Sequence, residues 1–203
     1  VEVVELLLTT LDEARVSVPL CLDLGHVGIV RGLAVKTGIG EADEAALFEM
    51  LQRKSTPELD AYIDGLGLDT SSDAMWRSLI DLHGDRSVLA RAREALAAAG
   101  PDVLAAIDYL DGIGERLAER HPELHLHFDL AELRGYHYHT GVVFAVFVPG
   151  EGEELARGGR YDGIGEAFGR ARPATGFSTD LRRLVALGSQ ALPAAPGPIA
   201  APA

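Results

Sequence analysis

The richest chemistry in this chain lies in two neighbouring stretches, Glu132-Leu-Arg-Gly-Tyr-His-Tyr-His-Thr-Gly-Val-Val-Phe144 and Arg157-Gly-Gly-Arg-Tyr-Asp-Gly163. Arginine, histidine, tyrosine and threonine at this density supply donors, acceptors and fixed positive charge, a set suited to gripping a small polar molecule. Read as extended chain, Tyr136, Tyr138 and Thr140 share one face, with His137 and His139 on the other. Gly158 and Gly159 let backbone approach a ligand closely, and Arg160 and Asp162 place opposite charges beside it. The expected product is the floor of a pocket.

Other chemistries are weaker. His125/His127 and His137/His139 form alternating pairs on two expected strands, which admits an imidazole metal site. Asp129 is the only carboxylate in register and no helix carries a complementary ligand pair, so hydrogen-bonded histidines are the favoured reading and no metal is expected. Gly158, Gly159, Gly163, Gly165 and Gly169 invite comparison with a phosphate loop, yet no Gly-Lys-Ser/Thr follows and the dinucleotide spacing is absent. No Gly-x-Ser-x-Gly elbow exists, and Cys21 has no activating context. Arg182-Arg183 suits a phosphate or an acidic surface equally well.

These residues need elements to hold them. Val1 to Arg15 has apolar residues at helical spacing, and Val18 to Leu24 alternates as a short strand. Gly25-His26-Val27-Gly28 turns the chain into a helix or extended piece from Ile29 to Val35. Helical signals then run from Glu41 to Arg120. One helix ends near Pro57, the next has Thr56 as N-cap, a third starts at Ser72, and a fourth, Arg86 to Ala99, closes at Gly100. The fifth runs from Pro101 to Arg120. Leu124 to Leu130 alternates strictly, Val142 to Val148 is a continuous apolar strand, and Thr175 to Thr179 is a last strand. Between them lies a weakly defined strand or loop through Gly158-Gly159, and Asp180 caps a final helix to Leu187. The Ala/Pro-rich segment from 191 to 203 is too poor in side chains to pack.

Across 203 residues the formal charge is −13, which argues against a nucleic-acid surface, and 47% apolar residues suffice for a core. A single cysteine permits no internal disulfide or thiolate zinc site and fits a cytoplasmic protein. No run approaches the roughly 18 apolar residues of a membrane helix, so no membrane partner is expected. Val1 in place of Met, opening straight into a helix, suggests the C-terminal portion of a longer protein.

Taken together, these stretches resemble histidyl-tRNA synthetases. Arg134-Gly-Tyr-His-Tyr-His-Thr-Gly-Val-Val-Phe144 is similar to that family's histidine-recognition motif, Gly158-Gly-Arg-Tyr-Asp162 to the loop after it, and Thr175-Gly-Phe-Ser-Thr-Asp-Leu-Arg-Arg-Leu184 to the third class II motif. Leu22-Asp-Leu-Gly-His-Val-Gly-Ile29 resembles the strand and turn before the helical insertion. The departures matter: His137 and His139 replace Asp and Tyr, Ala145 replaces Glu, and Asp180 replaces a glycine that lies against ATP. A carboxylate there repels a triphosphate. The pattern is similar above all to the synthetase paralogues that are regulatory subunits of ATP phosphoribosyltransferase.

The resemblance implies an α+β fold, a class II aminoacyl-tRNA synthetase-like antiparallel sheet flanked by helices with a helical insertion. Residues 1–35 and 101–190 would form the core, 36–100 the insertion, and 191–203 a tail. It implies a non-catalytic, self-associating cytoplasmic subunit without a cofactor or an anticodon-binding domain. Its partner would be the short-form catalytic subunit, and histidine its effector. Candidate histidine-binding residues are Arg134, Tyr136, Tyr138, His139, Tyr161 and Asp162, with Tyr138 and His139 near the imidazole. Arg160, Asp180 and Arg183 would mark a vestigial nucleotide side. The effector site lies either in this pocket or at a subunit interface.

Overall fold

The computed structural model describes residues 1–132, 135–136, 138–165 and 169–188. Helix α1 (Glu2–Glu13) buries Val4, Leu7 and Leu11, a stripe at helical spacing, and the chain then enters strand β1 (Cys21–His26). The His26 side chain caps α2 (Val27–Thr37): its Nδ1 accepts the Gly28 N–H at 3.1 Å. Helix α2 ends at Gly38, whose φ of 70° is the left-handed turn that favours glycine.

A helical excursion follows: α3 (Glu41–Gln52), α4 (Thr56–Leu66), α5 (Thr70–Ser78) and α6 (Val88–Ala95). Ser55 rather than Thr56 occupies the cap position of α4, because Thr56 already lies in the first turn with Pro57. Helix α5 begins two residues before the expected Ser72, since Asp69 accepts the N–H groups of Ser71 and Ser72 at 2.9 and 3.1 Å. Arg77 fastens α4 to α5 through Asp60, Asp64 and Asp73 at 2.6, 2.6 and 2.7 Å. The excursion returns through α7 (Pro101–Arg120), which packs on α2. Its buried face is Val103, Ile107, Leu110, Ile113, Gly114 and Leu117.

Strands β2 (His83–Gly84), β3 (His125–Asp129), β4 (Val142–Phe147), β5 (Ala156–Tyr161) and β6 (Ala174–Thr179) complete one sheet in the order β2-β3-β1-β4-β5-β6. Helix α8 (Leu181–Gly188) ends the described chain. The sheet is antiparallel, as expected, except that β1 and β3 run parallel. The helices between them supply the long crossover that a parallel pair requires. Short β2 arises inside the segment expected to be wholly helical and pairs with β3 at the sheet's edge.

Two expectations about the glycine-rich and motif segments change. The stretch through Gly158-Gly159 is a full strand between β4 and β6, built with glycines because a Cβ at Gly158 would meet the Gly176 carbonyl and the Phe144 ring. The segment before β4 is a turn instead of extended chain. The Tyr138 and His139 N–H groups both donate to the Gly135 carbonyl at 2.8 Å, and Gly135 has φ 68°. The alternation of Tyr136, Tyr138 and Thr140 against His139 therefore does not hold. Leu133, Arg134 and His137 lie outside the described residues, as does the segment 191–203.

The sheet has two unlike faces. Leu22, Leu24, Phe128, Phe144 and Val146 are buried, and Gly114 brings α7 close to Phe128. The other face carries the cross-strand row Asp23, Ala145, Arg157 and Ser178. Among the described residues, no helix is long and apolar enough to cross a membrane.

Candidate functional site

A cavity of about 430 Å³ opens on this second face, over β4, β5 and β6. Tyr138 and His139 from the turn and Tyr161 from the end of β5 line it, as expected. Their rings form a cluster: Tyr138 to Tyr161 is 5.0 Å between centroids, Tyr138 to His139 5.5 Å, and His139 to Tyr161 6.1 Å. The His139 ring fits between two glycines, since a Cβ on Gly135 or on Gly159 would come within 2.7 Å of it. Burial lowers the basicity of His139; a hydrogen bond to the Arg160 backbone opposes the shift and the Arg157 charge adds to it. Its buried Nδ1 makes no hydrogen bond of good geometry among the described residues.

Tyr136 does not line the cavity. It is 4% exposed, its hydroxyl donates to the Glu44 carboxylate of α3, and Arg31 of α2 lies over its ring at 4.7 Å while donating to its carbonyl. Phe48 packs 5.2 Å from the same ring. The turn at Gly135 aims this side chain into the helices, which alternation along a strand does not foresee. Asp162 does not line the cavity; its carboxylate is 3.0 Å from Arg160 and its N–H donates to Thr140 Oγ1 at 3.1 Å. Arg160, expected on the nucleotide side, instead packs its stem on Gly141, and its charge helps burial push His26 down to about 4. Arg134 lies outside the described residues.

Among the described residues, three polar lining residues went unassigned in the sequence: Glu132, Arg157 and Ser178. Arg157 and Ser178 stand opposite each other on β5 and β6, so strand alternation would have found them had the glycine-rich segment been recognised as a strand. Glu132, 7% exposed, lies at the start of the motif and belongs to no regular element.

A second cavity, about 480 Å³, adjoins the first through Arg157 and Ser178 and contains Glu153, Glu154, Asp180 and Arg183. Asp180 caps α8, accepting the N–H groups of Arg182 and Arg183 at 2.7 and 3.3 Å. The Arg183 guanidinium donates to the Glu154 carbonyl at 2.8 Å and pairs with Glu153 at 3.1 Å. Arg157 pairs with Glu154 at 3.2 Å. Both cations that face this chamber are thus engaged by the protein's own oxygens. Among the described residues, no three metal-ligating side chains converge. His127 instead meets Asp23 at 2.9 Å, which raises its basicity, and the Cys21 thiol lies 3.3 Å from His125.

The histidyl-tRNA synthetase family profile matches residues 1–184. The ATP phosphoribosyltransferase regulatory subunit of Pseudomonas putida F1 is 58% identical over 93% of this chain and 47% of its own length. That of Thioalkalivibrio sulfidiphilus is 53% identical over 100% of this chain and 51% of its own. The chain therefore spans about half the length of the curated relatives it matches. Among solved structures, an ATP phosphoribosyltransferase regulatory subunit/histidyl-tRNA synthetase from Bacillus halodurans superposes with TM-score 0.81 at 28% identity, covering 92% of this chain and 48% of that one. Carrying a synthetase sheet, a three-ring pocket and an acid-filled neighbouring chamber, this chain belongs to the histidyl-tRNA synthetase family.

Proposed function

We propose that this chain supplies the amino-acid pocket of a non-catalytic regulatory subunit of ATP phosphoribosyltransferase. It acts in the cytoplasm with the short-form catalytic subunit at the first step of histidine biosynthesis, and its own subunits self-associate. The ligand of the ring-lined cavity is histidine, whose imidazole stacks among Tyr138, His139 and Tyr161. The family resemblance assigns the carboxylate of that ligand to Arg134. No cofactor or metal is part of the site.

The observation that carries this reading is the contrast between the two chambers. The amino-acid side keeps an open cavity lined by aromatic rings, while the nucleotide-side arginine, Arg183, is engaged by Glu153 and Glu154. An aminoacylating enzyme needs a cation there to hold negative charge that develops on phosphate. Histidine regulates only if it binds one arrangement of the assembly better than another.

Full-length protein mixed with the short catalytic subunit should raise phosphoribosyl-ATP formation well above that of the catalytic subunit alone, and histidine should lower it. Absence of activation defeats the proposal. Histidine-dependent ATP–pyrophosphate exchange by the protein alone would establish a synthetase in its place.

A further inference from the structure

The turn that presents Tyr138 and His139 is fastened from outside the sheet. Tyr136, one residue after Gly135, is held among the described residues by Arg31 at its carbonyl and over its ring, by Glu44 at its hydroxyl, and by the Phe48 ring of α3 beside its own. Arg31 belongs to α2, which packs on α7 and on β4. Glu44 belongs to the first turn of α3, and α3 packs mainly on α4. The neighbouring Asp43 accepts from Tyr62 at 2.7 Å, which passes the position of α3 on to α4. One half of the clamp is therefore anchored in the core and the other half in the helical excursion.

Burial and the Glu44 carboxylate both raise the Tyr136 phenol, which keeps it protonated and donating. A buried hydroxyl that loses a charged acceptor gives up a strong hydrogen bond, so a displaced α3 destabilises the Tyr136 position. The Tyr136 position in turn sets the turn closed by the Tyr138 and His139 amides on Gly135.

We propose that Tyr136, clamped between Arg31 and Glu44, is a positioning residue that couples α3 to the ring-lined pocket, so that ligand occupancy and the placement of the helical excursion favour one another. Identifying the ligand as histidine rests on the function proposed above; the clamp itself does not. Coupling of this kind is reciprocal: whatever steadies the turn steadies α3, and a partner that seats α3 tightens the pocket. The excursion thereby becomes the route by which a partner surface reads pocket occupancy.

The test uses full-length protein, with hydrogen exchange of residues 135–141 and of α3 as one readout and histidine calorimetry as the other. Tyr136→Phe keeps the ring and its cation contact and removes only the hydroxyl; Glu44→Gln keeps an acceptor without the charge; Glu44→Ala removes both. In free protein, Tyr136→Phe and Glu44→Ala should speed exchange at the Tyr138 and His139 amides, and Glu44→Gln should do so less. Histidine should slow exchange in α3 of the wild type, and Tyr136→Phe, which keeps only the ring contact with Phe48, should reduce that protection and weaken histidine binding roughly five- to tenfold. A residue that merely packs would not make α3 respond to a ligand in the neighbouring pocket. Unchanged exchange at residues 135–141 in both Tyr136→Phe and Glu44→Ala overturns the clamp. Histidine binding without any protection of α3 overturns the coupling. A wild type that binds no histidine removes the ligand assignment, and free-protein exchange in the variants then decides the clamp alone.

Discussion

At the scale of single residues, side-chain type announced chemistry but backbone direction decided its use. Tyr136, Tyr138 and His139 are near neighbours of similar character, yet only the last two meet the cavity. The positive φ of Gly135 turns Tyr136 into the helices, and that angle leaves no signature in the identity of the tyrosine. His26 behaves similarly: the sequence shows a histidine in a turn, whereas the structure makes it the cap of α2 with Tyr109 against its edge, 6.0 Å between centroids. Burial and the nearby Arg160 push His26 from the usual 6.5 down to about 4. The unfolded chain then binds more protons between those values, so the stability this group confers is present above pH 6.5 and is lost as pH falls toward 4. Two and a half pKa units correspond to on the order of 3 kcal/mol. His26→Asn, which keeps a capping oxygen, should therefore show a shallower fall of urea midpoint from pH 7 to pH 4.5 than wild type. Parallel curves would remove His26 from the acid response. His127 works in the opposite sense: bonded to Asp23 it is raised, so its contribution is complete below pH 6.5 and fades as pH rises through its folded value.

At the scale of elements, legibility followed the strength of the periodic signal. Helix α7 was readable from Pro101 to Arg120 because an apolar stripe runs between a proline start and a His-Pro stop. Strand β5 was not, because Ala-Arg-Gly-Gly-Arg-Tyr contains no β-branched residue; its place is set by what its glycines allow next to them. Glycines in the helices are equally uninformative until a neighbour is known. Gly114 is an unremarkable helix residue in sequence, yet a Cβ there would sit 2.6 Å from Phe128 Cζ, and Phe128 is fully buried. Alanine is the better helix former by about 1 kcal/mol, but forcing a methyl into a packed core costs about 1–3 kcal/mol. Gly114→Ala should therefore destabilise by about 1 kcal/mol. Gly114→Ala with Phe128→Leu should lose less than the two separate changes added together. Chemical denaturation of the four proteins measures this, and strict additivity would mean that α7 and β3 do not touch there.

At the scale of the whole molecule, one sheet separates a packed side from a working side, and the working side divides into a ring-lined chamber and an acidic one. The resemblance of ordered motifs made this architecture and the family legible, since the stretch from Leu22 to Ile29 and three motifs between Arg134 and Leu184 bracket the helical middle. It could not show that Arg183 is engaged, because Glu151, Glu153 and Glu154 lie in a loop that carries no motif. Charge decides what that second chamber accepts. The chain as a whole carries −13, and Glu153, Glu154 and Asp180 concentrate negative charge in this chamber, which disfavours a triphosphate there. Asp180→Gly restores the residue typical of the synthetase motif, yet it leaves Arg183 paired and should improve ATP binding by less than roughly threefold. Adding Glu153→Gln removes the nearest carboxylate from the guanidinium, leaving the Glu154 carbonyl and the more distant Glu151, and with it a second like charge, so the pair together should improve binding by roughly tenfold or more. Loss of the α8 cap in Asp180→Gly costs only a few tenths of a kcal/mol, so the comparison stays one between folded proteins. Equilibrium dialysis of full-length protein against ATP at low and at physiological salt provides the measurement. The gain should shrink at the higher salt, because these groups are partly exposed and therefore screened. An affinity that does not change in the double variant would mean that shape, and not charge, keeps the nucleotide out.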